Sequence, residues 1–133
     1  LPVPPQRVAQ GYFTYRSGLD AARQLLAADP RPSAIFASND DMAAATLAVA
    51  HGMGLQVPQD ISVCGFDDTP VATTVWPELS TIHQPIADMA RAAVKLVIDE
   101  IRQRRAGETA PATHHLMAFT LMERASTGAC GPR

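Results

Sequence analysis

The stretch from Ala34 to Asp68, AIFASNDDMAAATLAVAHGMGLQVPQDISVCGFDD, limits what this chain can fold into more than any other. It holds two short apolar runs, Ala34 to Ala37 and Ile61 to Phe66, each closed by acidic or amide residues. An unbroken apolar run of this length suits a strand buried on both faces of a parallel sheet. Between the runs lies an Ala-rich segment of high helix propensity that stops at Gly52 and Gly54. The order is strand, helix, strand. In such units ligands bind beyond the carboxyl ends of the strands. Those ends carry Ser38, Asn39, Asp40 and Asp41 on one side and Asp67 and Asp68 on the other. Polar groups with several acceptors at the rim of an apolar sheet suit a small polyhydroxylated or heterocyclic ligand.

The flanking chain supplies further elements. Leu1 to Pro5 holds three prolines and reads as an irregular entry, followed by a weak strand candidate from Arg7 to Gly11. Tyr12 to Arg16 reads as an aromatic loop. Ser17 and Asp20 then have the spacing of a capping box, with Ser17 as N-cap, and Leu19, Ala22, Leu25 and Leu26 keep helical spacing up to Pro30. Ser38 to Asp41 repeats the capping form for the helix that carries Met42, Thr46, Val49 and Met53 along one face. Asp67 to Pro70 is a turn signal, and Val71 to Trp76 is a short helix or irregular loop ending at Pro77. Leu79 to His83 reads as a strand, and Pro85 is placed to open a helix at its first position. Along that helix Ile86, Met89, Ala90, Ala93, Val97 and Ile101 keep helical spacing, Glu100 and Arg104 are ion-pair partners, and Gly107 ends it. Arg102, Arg104 and Arg105 complement its C-terminal dipole better than they form a phosphate site. His114 to Glu123 should give one or two closing strands, and residues 125–133 read as a disordered tail.

Composition narrows the function classes. At 133 residues, 47% hydrophobic and 18% charged, the chain can bury a real core and has few charges to spare for disorder. A net charge of −2 carries no general attraction for nucleic acid. No apolar run approaches the roughly 20 residues that cross a bilayer, and no signal peptide is visible, so no membrane partner is expected. Cys64 lies in a strand candidate and Cys130 in the tail, which makes a structural disulfide improbable and a reducing cytoplasm the simpler setting. The chain starts at Leu1 without an initiator Met, which reads as a fragment or processed product. Four aspartates at two strand ends could hold Mg²⁺ for phosphoryl transfer, but no Walker-type loop is present and the one lysine, Lys95, sits on a distant helix. His114 and His115 have no zinc-like spacing with Cys64, and no Ser-His-Asp order is visible. Neither enzyme activity, nor a metal, nor a cofactor is expected.

ASNDDMA, then GLQVPQDISVCGFDD, then WPELSTIHQPIADMARAAVKLVIDEI resemble, in order and spacing, the effector-binding domain of the LacI/GalR family of bacterial transcriptional regulators. The resemblance runs from Val8 to Thr127. It implies the parallel-sheet α/β lobe of the two-lobed type I periplasmic-binding-protein-like fold, present as a fragment. On that pattern residues 1–84 form the C-terminal lobe and residues 85–112 a helix of the N-terminal lobe. Residues 113–124 are then strands returning to the C-terminal lobe, ahead of the tail. The DNA-binding helix-turn-helix would lie upstream of Leu1. Phe13 matches the position where an aromatic ring stacks on the effector, although Tyr12 stands where the family usually has an acidic residue. Asp67 matches a carboxylate aimed into the cleft, and Ile86 a position that touches ligand from the other lobe or is simply core. Asn39 offers donors and an acceptor to ligand hydroxyls, or caps its helix. Asp40 and Asp68 read as structural, for the helix N-terminus and the following turn. Met42, Thr46, Val49, Val71 and Trp76 match the family's dimer surface. The implied partners are a sugar or related metabolite as effector, a second copy in a homodimer, and operator DNA reached only through the upstream domain. A sugar-binding protein of a transport system, with the same fold, is the alternative.

Overall fold

The computed structural model describes residues 2–108 and 114–129. In chain order the elements are α1 (Tyr15–Leu26), β1 (Ala34–Phe36), α2 (Asp40–Gly52), β2 (Ser62–Cys64), α3 (Val71–Thr74), β3 (Thr81–His83), α4 (Ile86–Arg105) and β4 (Thr120–Met122). A single 3-10 turn at Pro5–Arg7 precedes them, and the weak strand candidate after it forms no strand. The chain divides into two compact units, one of Leu1–His83 with Leu121–Arg133, the other of Gln84–Thr120. No helix among the described residues is long and apolar enough to cross a membrane.

In the first unit β1 and β2 pair in parallel, with Ala34 opposite Ser62, Ile35 opposite Val63 and Phe36 opposite Cys64. Beyond Cys64 the chain swings to a parallel pairing with β3, where Gly65 N–H donates to Ser80 O and Asp67 N–H to Ile82 O, both at 2.9 Å. β3 pairs in turn with β4. Ile35 and Val63 turn inward onto Ala22 and Leu26 of α1 and Leu47 and Ala50 of α2, with Ile61 and Leu79 completing the core. Burial on both sheet faces does not follow for β1. Ala34 is exposed and Phe36 is 62% exposed, its ring meeting Phe66 edge-on with centroids 6.4 Å apart. The alternation of a strand places Ile35 on the helix side and its two neighbours opposite.

α1 begins earlier than Ser17. Thr14 is the N-cap: its hydroxyl accepts from Ser17 N–H at 3.2 Å, and Ser17 Oγ accepts from Thr14 N–H at 3.4 Å, so Ser17 closes the box from the third helical position. Starting there puts Gly18 on the buried side, where a β-carbon would come within 2.7 Å of Met42 Cα. The two helices meet backbone to backbone at this point.

α2 is a core helix. Nine of its residues are buried, and its small alanines let neighbours approach closely from several directions. Met42, Thr46 and Val49, which the family pattern put at a dimer surface, are among the buried ones, at 8%, 3% and 8% exposure. Thr46 can be buried because its hydroxyl donates to Met42 O at 2.8 Å. Both long helices close with a left-handed glycine. Gly54 at φ 74° donates to His51 O and Leu55 N–H reaches back to Ala50 O, and Gly107 at φ 78° does the same with Arg104 and Glu108 with Gln103.

In the second unit Pro85 is the N-cap of α4 and not its first residue, because its ψ of 61° is not helical. None of the helix's 20 residues is buried, and Ile86, Val94 and Val97 are each more than half exposed. Glu100 and Arg104 do pair, at 2.5 Å. Of the expected closing strands only Thr120–Met122 forms.

The segment from Ala125 is no tail in its first residues. Ser126 is fully buried: its Oγ accepts from Ser80 N–H at 2.8 Å and donates to Val63 O at 2.6 Å, while its carbonyl accepts from Val63 N–H at 2.8 Å. Residues 130–133 of the expected tail, Cys130 among them, lie outside the described residues.

Candidate functional site

Parallel pairing of β1 with β2 brings their carboxyl ends out side by side. Ser38 to Asp41 leaves one strand and Gly65 to Asp68 the other. The two ends are stitched together by Asp40, the first residue of α2. Its carboxylate is fully buried and accepts at both oxygens: Oδ2 from Thr69 N–H at 2.7 Å and Thr69 Oγ1 at 3.1 Å, Oδ1 from Thr81 Oγ1 at 2.6 Å. One carboxylate therefore ties α2, the loop after β2, and β3. Its closeness explains Gly65, since a β-carbon there would lie 2.3 Å from Asp40 Oδ1. Favouring the helix N-terminus, the role read from sequence, is the lesser part of what Asp40 does.

Asn39 caps α2, accepting from Met42 N–H at 3.0 Å, and its amide donates to Phe13 O at 3.1 Å. The side chain, 9% exposed, thereby links the Phe13 loop to the β1 end. One N–H and one lone pair remain for any ligand, so Asn39 is first a latch between two rim loops.

Three non-glycine residues of the described chain adopt positive φ, and all lie on this rim: Phe13 at 57°, Asp67 at 108° and Asp68 at 56°. L-residues avoid this region at a cost of order 1–3 kcal/mol each, and such conformations gather at ligand clamps and switch regions. Phe13 leaves its ring 65% exposed even though its carbonyl is anchored. Asp67 is half-buried and held to β3 through its backbone. Phe13, Asn39 and Asp67 thus share one edge of the first unit. Ile86 opens α4 in the second unit and is 59% exposed. A cavity of about 210 Å³ runs under the Val8 to Phe13 segment against α1, β1 and α2. Neither Asn39 nor Asp67 lines it, and its walls are mainly aliphatic.

Asp68 does not serve the following turn through its carboxylate. Oδ1 accepts from Arg124 Nη2 at 2.7 Å and Oδ2 pairs with His83 Nδ1 at 3.0 Å. Burial alone would raise its pKa, but the hydrogen bonds from Arg124 and His83 and their charges outweigh that and hold the carboxyl below its ordinary value. Arg124 also donates through Nη1 to Leu79 O at 2.8 Å. Sequence reasoning missed Arg124, Thr81 and Ser126. Burial, and then the nearby Asp40 charge, pushes the Cys64 thiol up, which makes it a poor nucleophile. Val71 is half-buried, whereas Trp76 is 80% exposed, an unusual state for an indole.

Residues 2–127 match the model of the family described as periplasmic binding protein-like domain. The HTH-type transcriptional repressor PurR of Escherichia fergusonii is 42% identical over 105 residues, covering 79% of this chain and 31% of that protein. The ribose operon repressor of Escherichia coli K12 is 41% identical over 103 residues, covering 77% and 31%. Among solved structures, a transcriptional regulator CelR–cellobiose complex superposes with a TM-score of 0.84 at 36% identity, covering 95% of this chain and 37% of that one. The chain thus spans about a third of the length of the relatives it matches. A periplasmic-binding-protein-like match over nearly the whole chain, on regulators and repressors of one kind, fixes the family: the chain belongs to the LacI/GalR transcriptional regulators and is part of their effector-binding domain.

Proposed function

We propose that this chain supplies one wall of a small-molecule pocket in a LacI-type regulator, and that the effector is a sugar or related polyhydroxylated metabolite. The observation that carries this reading is the pair of positive-φ residues at the rim, Phe13 with an exposed ring and Asp67 beside the β2 end. An aromatic face covers the apolar side of a sugar ring at little entropic cost, while a carboxylate accepts from two hydroxyls. The likeness to a cellobiose-bound regulator supports the ligand class. Binding favours one arrangement of the intact protein over another, and a DNA-binding domain outside this chain reads that population shift at its operator in the cytoplasm. The intact regulator acts as a homodimer, with Trp76 at the contact.

Calorimetric titration of the intact regulator with D-ribose, cellobiose and sucrose tests the pocket. For the sugar that binds, Asp67→Ala should weaken affinity by about 1.5–3 kcal/mol, the worth of a hydrogen bond to a charged group. Phe13→Ala should cost about 0.5–1.5 kcal/mol or more through lost stacking. Unchanged affinity in both variants refutes the site. Binding of a heterocyclic base with no response to any sugar refutes the ligand class.

A further inference from the structure

The chain leaves the first unit after His83 and re-enters it at Leu121. Both crossings end on one carboxylate. His83, the last residue of β3, meets Asp68 Oδ2, and Arg124, just past β4, meets Asp68 Oδ1. The Arg124 and Asp68 side chains are each only 14% exposed, so this pair is largely screened from solvent, whereas the His83 ring lies 53% open. Arg124 bridges onward to Leu79 O, and its backbone exchanges hydrogen bonds with the buried Ser80 Oγ, which locks the returning strand against the start of β3. Asp68 itself follows Asp67 in a loop held at two consecutive positive φ angles. The backbone of that loop cannot shift without dragging the carboxylate that holds both crossings.

We infer that Asp68 is a positioning residue that couples the Asp67 loop to both strands through which the chain passes to its second unit. The inference rests on the reading that Asp67 meets the effector. A pull on the loop reaches the outgoing strand through His83 and the returning strand through Arg124. Within this chain those are the points where the backbone leaves the first unit and returns to it. A purely local role for Asp68 would hold its own loop and nothing else.

Amide hydrogen exchange of the unliganded intact regulator separates the two. Asp68→Asn should speed exchange about tenfold at once in residues 66–70, in 80–84 and in 121–126, because losing a screened charge-assisted pair opens every segment that it joins. Arg124→Met should give the same three-segment pattern, and Arg124→Lys, which keeps the charge, should restore most of the protection in 66–70. Exchange that rises in 66–70 alone overturns the inference, as does equal loss of protection in Arg124→Lys and Arg124→Met. If Asp68→Asn fails to fold, the milder His83→Gln decides: faster exchange in both 66–70 and 80–84 supports the coupling, and no change in either removes it. None of these readouts needs a ligand. A regulator that binds no sugar therefore defeats the proposed pocket without touching this result.

Discussion

Removing the Asp40 carboxylate tests the reading of the rim most sharply. Three donors end on it inside the protein: the Thr69 amide, the Thr69 hydroxyl and the Thr81 hydroxyl. In Asp40→Ala the amide has no freedom to seek another acceptor and is orphaned, at about 1–3 kcal/mol. The two hydroxyls can rotate, yet each must give up a good acceptor at about 1 kcal/mol. The expected destabilisation is therefore about 3–5 kcal/mol, at the upper end of what single substitutions do. Asp40→Asn should be far milder. Its oxygen can face Thr69 and its amide can donate to the Thr81 hydroxyl, which accepts as readily as it donates, so the geometry survives with neutral bonds at a cost of about 1–2 kcal/mol. Asp41→Asn, on the exposed side of the same turn, should stay within about 0.5 kcal/mol. Urea denaturation of the intact regulator followed by far-UV circular dichroism gives all three values. Equal losses in the alanine and asparagine variants would refute the argument, because they would mean that keeping the hydrogen-bonding geometry with neutral partners offsets nothing. So would a loss below 1 kcal/mol in Asp40→Ala.

Gly18→Ala should destabilise by about 1–3 kcal/mol despite alanine's better helix propensity, since its β-carbon would press on the Met42 backbone, while Gly52→Ala, with nothing within 4 Å, should be neutral or slightly stabilising; thermal melts compare the two. The Asp68 carboxyl has a depressed pKa in the folded protein, so its contribution is present above the unfolded value near 3.9 and is lost as pH falls through the folded one. The Tm gap between wild type and Asp68→Asn should accordingly be full near neutral pH and shrink once the pH drops below about 4, and a gap that widens in acid would contradict the sign. Trp76→Glu in the intact regulator should shift sedimentation toward a monomer at micromolar concentration, because it puts a charge on an 80% exposed indole at the proposed contact, and an unchanged sedimentation coefficient excludes Trp76 from the interface. Residues 1–133 alone should bind neither operator DNA at nanomolar nor cellobiose at micromolar concentration, which an electrophoretic shift and a titration can check.

The elements that repeat a short-range pattern were legible in the sequence. β1, α2, β2, β3 and α4 follow from apolar runs, alanine-rich propensity and helical spacing, and both glycine caps follow from the residues themselves. What escaped was set by distant neighbours. Thr14 and Ser17 are each competent N-caps, and the winner is decided by where α1 must cross α2 at Gly18. Met42, Thr46 and Val49 lie along one stripe by spacing, and α2 is so rich in small residues that the rest of the unit closes around it. A spacing argument finds a stripe and cannot tell which of two surfaces it meets. The candidate rim was readable as polar strand ends, and the helix cap was one of the two roles that the position of Asn39 allowed. That its side-chain groups are taken up by Met42 and Phe13 is a tertiary fact. Arg124 and Ser126 carry no local signal at all, since their partners Asp68 and Val63 are 56 and 63 positions away.

The burial of Ser126 has a consequence for how the chain is made. Val63 N–H is answered by Ser126 O, so this amide of β2 finds its acceptor only in residues synthesised long after it. The first unit emerges from the ribosome with Ile61, Val63 and Leu79 translated but with the buried Ser80 still lacking both Ser126 and Arg124. It must wait while the whole second unit passes before its last strand arrives. During that interval a growing polypeptide carries the Val63 and Ser80 amides without their Ser126 acceptors, open to any extended segment, its own or a neighbour's. A stop codon placed just before Leu121 would leave both amides without those acceptors, which makes the residues around Ser126 the closing piece of the first unit.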